Sequence, residues 1–188
     1  HNLMIIEDGA YAFLAEEAPP PLATLAPERT VYIGGLSKSV ATGLRVGFIA
    51  APMAWVNGLE RTIMATTWNV PGVMSAIAVG WLEDGTVAQL EAQKRADAQA
   101  RQVLAAQVLT GVKTISHPSS YFLWLPLAED ARADQVAMTL QRAGISVSTA
   151  EPFAVSAQVP HALRVALGSV PMAALREALV KVRKVVAW

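Results

Sequence analysis

Gly34-Gly35-Leu36-Ser37-Lys38-Ser39-Val40-Ala41-Thr42-Gly43-Leu44-Arg45 decides how this chain reads. Lys38 stands just past an apolar run at residues 30–35, and Arg45 follows seven residues later. Thirty residues upstream of Lys38, a second apolar run at 3–6 ends in Glu7-Asp8, with Tyr11 three residues beyond Asp8. In an open α/β sheet, ligands sit at the carboxyl ends of strands. Asp, Tyr, Lys and Arg at the ends of neighbouring strands are the parts needed to hold an aromatic cofactor that carries a phosphate.

Each residue type suits one task. A carboxylate at Asp8 facing a pyridine nitrogen keeps that nitrogen protonated, and a protonated ring accepts electrons from an adjacent carbanion. Tyr11 can donate a hydrogen bond to a ring oxygen. An amine such as that of Lys38 is nucleophilic only when neutral, a state favoured by desolvation or nearby positive charge, and it can then form an imine with an aldehyde. The planar fork of Arg45 matches phosphate oxygens, and Ser37 and Ser39 are further donors. Gly34, Gly35 and Gly43 permit close backbone approach to a ligand. Arg164 lies in the apolar run Ala162-Leu163-Arg164-Val165-Ala166-Leu167-Gly168, and its bidentate geometry suits an α-carboxylate. Taken singly, each of these residues fits a strand end, a loop or a surface ion pair better than a site; only their combination points to one. His117 and His161 adjoin prolines in expected loops and lack metal-ligand spacing. Met64, Met74 and Met138 are expected in the core.

Working outward, the fold class is α/β. Runs at 3–6, 30–35 and 45–51 read as strands covered on both faces. Between the first two, Ala18-Pro19-Pro20-Pro21-Leu22 must be an extended loop. Residues 60–65 and 73–82 read as helices separated by Trp68-Asn69-Val70-Pro71-Gly72. From 87 to 109 there is no Pro or Gly, and good helix formers dominate. That helix spans roughly 35 Å, with Glu91–Arg95 and Asp97–Arg101 at i,i+4 spacing. Beyond Gly111, strands at 112–115, 121–127, 145–148 and 163–167 and helices at 133–143 and 171–186 form a β-β-α-β-β-α order. This is expected to be a small α+β layer with a mainly antiparallel sheet.

Of 188 residues, 53% are hydrophobic and 16% charged, which permits a sizeable core. Fifteen basic and fifteen acidic residues cancel, so charge alone provides no grip on nucleic acid. The absence of cysteine excludes disulfides and thiolate metal sites and fits a reducing compartment, the cytoplasm. The longest nearly apolar stretch, 46–56, is too short to span a membrane. The opening at His1 reads as the C-terminal part of a longer protein.

The phrases Ile5-Ile6-Glu7-Asp8-x-x-Tyr11, Ser37-Lys38-x6-Arg45-Val46-Gly47 and Leu163-Arg164-Val165-Ala166-Leu167-Gly168 resemble the fold-type I, pyridoxal-phosphate-dependent aminotransferases of class I/II. The resemblance runs the length of the chain. It implies that Asp8 pairs with the pyridinium nitrogen, Tyr11 touches the 3-oxygen, and Lys38 forms the internal aldimine and shuttles the α-proton. Arg45, with Ser37, would bind the phosphate and Arg164 the substrate carboxylate. The segment around Asn69 would lie near the active site, and the protein would be a homodimer. It also implies residues 1–82 as part of the large cofactor-binding domain, 83–110 as a connecting helix and 111–188 as the small domain. Position 35 is Gly where many relatives carry a phosphate-binding hydroxyl. The family's amino-terminal half would supply further cofactor contacts, so this piece alone is expected to be inactive.

The wording of three stretches narrows the resemblance: Ile-Ile-Glu-Asp-Gly-Ala-Tyr, Pro-Pro-Pro-Leu-Ala-Thr-Leu-Ala-Pro-Glu-Arg-Thr-Val-Tyr and Gly-Leu-Ser-Lys-Ser-Val-Ala-Thr-Gly-Leu-Arg-Val-Gly-Phe. They look like the aminotransferase-like domain of MocR-type bacterial regulators, in which a GntR-type winged helix precedes this domain and touches DNA. A regulator would use the cofactor, or its adduct with an amino acid or amine, as a signal. An aminotransferase would use the same residues to move an amino group, and a scaffold that has lost the cofactor is a third reading.

Overall fold

The computed structural model describes residues 1 and 3–187. They fall into two units, His1–Arg95 and Ala96–Trp188.

In the first unit, β1 (Ile5–Asp8), β2 (Thr30–Gly35) and β3 (Gly47–Ala50) form a sheet in that order. β1 and β2 run parallel, with Asp8 opposite Ile33. A parallel pair needs a crossover, and here the crossover holds a 3-10 turn (Ala12–Leu14), the proline run and a short helix α1 (Leu22–Leu25). The first amides of α1 have no partner within the helix. The carboxylate of Glu7 accepts from Leu22 and Ala23 at 3.0 and 3.1 Å. Directly after β2 comes α2 (Leu36–Ser39), then a 3-10 turn (Thr42–Leu44), then β3, antiparallel to β2. Pro52 and Pro71 stand just before α3 (Met53–Thr66) and α4 (Gly72–Glu83), where the missing N–H costs nothing. The helix α5 (Thr86–Val108) begins in this unit. Leu36, Leu44, Ala78 and Val87 form its buried cluster, with Met74, Ile77 and Trp81 packed against them.

Within these residues the apolar sheet is open to solvent: Ile6 is 71% and Phe48 52% exposed, and every residue of β3 is exposed. The four-residue cluster is built from α2, α4, the start of α5 and the turn before β3, so it leaves much of the sheet uncovered. The strand expected from residue 45 also starts two residues late. Arg45 closes the 3-10 turn in the left-handed region, at φ 53°, where a ladder cannot continue.

In the second unit, β4 (Phe122–Pro126), β5 (Ser148–Thr149) and β6 (Ala162–Ala166) form an antiparallel sheet of order β4-β6-β5. Side chains alternate along β4: Leu123 and Leu125 are buried, opposite Val165 and Leu163 of β6. Against this face pack α6 (Ala133–Arg142) and α7 (Met172–Val186). Leu175, Leu179 and Val182 of α7 lie at i, i+4, i+7 and are buried with Leu140 of α6 and Leu104, Ala105 and Val108 of α5. Gly144, at φ 80°, follows the end of α6 as a left-handed stop.

The strand expected at 112–115 shrinks to one bridge, Ile115 with Trp124. Val112 spends its N–H on the Leu109 carbonyl at 2.9 Å. The Phe122 carbonyl accepts from buried Gln102 at 3.0 Å, so neither side of the bridge can extend. The strand expected at 145–148 is also shorter, only Ser148–Thr149. Met64 and Met138, expected in the core, are 53% and 52% exposed. They sit on the outer stripes of their helices, while Met74 joins the first unit's cluster. His117 and His161 are exposed, as expected. Among the described residues there is no cluster of metal-ligating side chains, and no helix is long and apolar enough to cross a membrane.

Asp97 ties α5 to β4's entry. It accepts from Tyr121 Oη at 2.9 Å and Arg101 Nε at 2.8 Å, and Arg101 also donates to the Leu167 and Val170 carbonyls, both at 2.7 Å. Burial first, and then Asp97, push the Tyr121 phenol up to about 12. Its folded pKa therefore exceeds its unfolded value of about 10. This contribution to stability is present in full below the unfolded value and is lost as pH rises through about 12. An ultraviolet titration is expected to show one of the three tyrosines ionising last. Tyr121→Phe should remove that step and cost about 1 kcal/mol at neutral pH. Three tyrosines titrating together would refute this.

Candidate functional site

The pleat of β1 separates its two adjacent carboxylates. Glu7 is spent on the amides of α1. Asp8 turns to the opposite face, the face of its register partner Ile33, and is exposed. Asp8 Oδ1 accepts the Ala10 N–H at 2.9 Å, which bends the chain at once after the strand. A Cβ at Gly9 would fall 2.1 Å from the Tyr32 hydroxyl, so a larger residue there would displace that ring.

The bend brings Tyr11 beside the second strand end, where Lys38 Nζ stands 5.8 Å from the centre of its ring. Lys38 is carried by α2, a single turn that starts directly at the end of β2. Ala10, Ile33, Ser37, Lys38 and Arg45 line one concavity of about 230 Å³, whose floor is backbone of Gly34, Gly35 and Gly47. A side chain at position 35 would crowd the Val46 carbonyl at 3.2 Å and Gly47 Cα at 3.3 Å. The backbone of Arg45, which lines this concavity, is held in a conformation that costs roughly 1–2 kcal/mol for a residue with a Cβ.

Of the sequence-predicted residues, Ser37, Lys38 and Arg45 therefore meet at one cavity, with Tyr11 against Lys38 and Asp8 on the same sheet face through Ile33. Asn69 is not in that lining. It is an exposed residue of the loop between α3 and α4, its N–H bonded to the Thr67 carbonyl at 2.9 Å. Ser39, the other serine flanking Lys38, is buried, and its hydroxyl has no hydrogen-bond partner among the described residues.

Arg164 belongs to the second unit. On β6 it pairs in register with Trp124 and Ser148. Its guanidinium carbon lies 3.7 Å over the Phe122 ring and 5.4 Å from the ring of Phe153, while Phe153 meets Trp124 edge-on at 6.4 Å. A guanidinium stacked on a ring keeps its N–H groups in its own plane, free to point outward. No carboxylate pairs with Arg164 among the described residues.

Sequence reasoning missed four contributors. Phe122 and Phe153 carry no signal that sets them apart from other aromatics of a strand and a loop. Lys94 lies unmarked in the run of good helix formers at 87–109, yet its Nζ donates to the carbonyls of Lys38 and Val40 at 2.8 and 3.2 Å. Arg95, spaced to pair with Glu91, donates instead to the Phe13 carbonyl. Nothing in the spacing of α5 distinguishes these two cations from the others.

The family profile described as aminotransferase class I and II matches residues 1–182. The chain belongs to this family. Members are in general dependent on pyridoxal 5′-phosphate. The HTH-type transcriptional regulator YdeF of Bacillus subtilis is 26% identical over 89% of this chain and 36% of its own length. The arginine–pyruvate transaminase AruH of Pseudomonas aeruginosa is 30% identical over 95% of this chain and 46% of its own. An archaeal alanine:glyoxylate aminotransferase superposes with a TM-score of 0.88 at 23% identity, over 99% of this chain and 48% of that one. The fold is thus that of the fold-type I aminotransferases, and the chain spans less than half the length of these three proteins. The donor set at the Lys38 cavity suits the family's cofactor: an amine for an aldehyde, a hydroxyl and a guanidinium for a phosphate, and a glycine floor that leaves room for the ring.

Proposed function

We propose that this chain is the aminotransferase-like part of a MocR-type regulator of the GntR family, which holds pyridoxal 5′-phosphate at Lys38. The observation that carries the reading is the convergence of Ser37, Lys38 and Arg45 on one cavity at the carboxyl end of β2. Bound there, the cofactor supplies an electron sink for chemistry next to its ring. In this reading, Arg45 and Ser37 bind the phosphate and Lys38 offers its amine to the aldehyde. Tyr11 orients the 3-oxygen, and Asp8 keeps a proton on the ring nitrogen. Arg164 clamps the carboxylate of an amino-acid ligand, and Asn69 is a second ligand-binding residue. Residues 1–82 serve as part of the large domain, 83–110 as the connecting helix and 111–188 as the small domain. The whole protein is proposed to be a cytoplasmic homodimer that meets DNA through a winged helix outside these residues.

The regulators among its relatives favour this over an enzyme. AruH, at 30% identity, favours the second reading, an aminotransferase acting on an amino acid. Incubation of the whole protein with pyridoxal 5′-phosphate, reduction with borohydride and peptide mapping should place the pyridoxyl group on Lys38. A regulator should bind its amino acid without releasing an oxo acid, whereas an aminotransferase should release one. The Arg164 role has its own measurement. Arg164→Gln should weaken binding of an amino acid by roughly 2–5 kcal/mol and leave its decarboxylated amine unaffected. Equal losses for both ligands would remove the carboxylate from the proposal.

A further inference from the structure

We propose that Lys94 is a positioning residue for Lys38, acting as a cationic tether on the turn that carries it; this rests on the reading of Lys38 as the cofactor-holding amine. α2 is a turn of four residues, too short to hold itself in place. Within and just after it, Leu36 O accepts from the amides of Val40 and Ala41 at 2.9 and 3.1 Å, and Ser37 O from the Thr42 hydroxyl at 3.4 Å. The carbonyls of Lys38 and Val40 are served from elsewhere, and both receive the ammonium of Lys94. That ammonium arrives from α5, a long helix 56 residues downstream of Lys38. A cation at the carboxyl end of a helical turn meets partial negative charge, and bonds from a charged donor are the stronger kind. Lys94 is partly buried. Without it, the part-buried Val40 carbonyl loses a charged donor, and the exposed Lys38 carbonyl exchanges a fixed donor for mobile water.

The next residue reinforces the arrangement. Arg95 donates to the Phe13 carbonyl, in the 3-10 turn that directly follows Tyr11. Tyr11 is the ring that faces Lys38 Nζ. Neighbouring cations on one helical turn thus hold both sides of the Tyr11–Lys38 pair. Because Lys94 bonds the carbonyl of Lys38 itself, its loss rotates the turn that aims the amine.

The test compares the whole protein with Lys94→Met and Lys94→Arg, each incubated with pyridoxal 5′-phosphate, reduced with borohydride and mapped by peptide mass. The readout is labelling at Lys38 relative to Lys113, Lys181 and Lys184. Lys94→Met is expected to lower that ratio about tenfold, and to speed amide exchange at residues 38–42 while the rest of the first unit stays protected. Lys94→Arg, which keeps a cation able to reach a carbonyl, is expected to restore most of the ratio. An unchanged ratio in Lys94→Met overturns the tether. So does a loss of protection throughout the first unit that Lys94→Arg fails to repair, since the role would then be merely structural. If the parent protein shows no preference for Lys38, the cofactor reading itself falls. That outcome is distinct, because it appears before any substitution is made.

Discussion

Lys38→Ala is expected to abolish covalent capture of pyridoxal 5′-phosphate, the largest functional loss any single substitution in this chain should cause. The reason is chemical rather than steric. Of the groups lining the concavity at the end of β2, only Lys38 carries a primary amine. Ser37 and Arg45 can bind a phosphate but cannot bond to an aldehyde carbon. Pyridoxamine 5′-phosphate, which needs no such bond, should therefore still bind the Lys38→Ala protein through its phosphate. Pyridoxal 5′-phosphate should leave no label on the peptide spanning residues 34–45 after reduction. Lys38→Arg separates charge from nucleophilicity, because it keeps a cation beside Tyr11 but never offers a neutral amine. It should fail as completely as alanine. Undiminished labelling of the mutant at another lysine, with the visible absorbance of the parent, would mean that the amine at position 38 is not the attachment point.

The meeting of these side chains was readable because the chemistry sits at strand ends. Ser37, Lys38 and Arg45 follow the apolar run of β2 and line one cavity, while Asp8 closes β1, the parallel neighbour of β2, and lies outside that lining. The backbone of Arg45 was not readable. An arginine ahead of Val-Gly-Phe looks like the first residue of a strand, and only the turn before it forces the left-handed geometry. Lys94 was hidden for another reason. Its neighbours on α5 are Glu, Ala, Gln, Arg and Asp, ordinary helix formers and charges, and its partners lie 54 and 56 residues away. Long-range polar contacts of this kind leave no period in a sequence. An apolar run reports a preference to be buried but not what buries it, and β3 is apolar yet exposed throughout these residues. Met138 shows the same limit on a helix, where a thioether tolerates water well enough to occupy the outer stripe of α6.

In the second unit, the inner face of β6 is what gives Arg164 its place, and Leu163→Ala is expected to show it. Leu163 is fully buried on the central strand, opposite Leu125 and against the helices. Truncating it removes buried methyl groups and leaves a cavity, at a cost of about 2–5 kcal/mol. Two effects oppose each other at the site. Collapse of neighbours into the gap would reduce the cost, but Leu163 is flanked by strands on both sides, which limits how far they can move. The upper half of the range is therefore expected, a large part of a domain's usual stability of roughly 5–15 kcal/mol. Urea denaturation should report the loss, and amide exchange should confine it to the second unit, leaving residues 34–45 as protected as before. The alternation of β6 connects this number to function. A strand held by Leu163 and Val165 on its inner face must present Arg164 outward, onto Phe122 and Phe153, whereas a slip of one residue would bury the guanidinium. A cost below about 1 kcal/mol would show that Leu163 does not anchor the register, and the outward guanidinium would then need some other support.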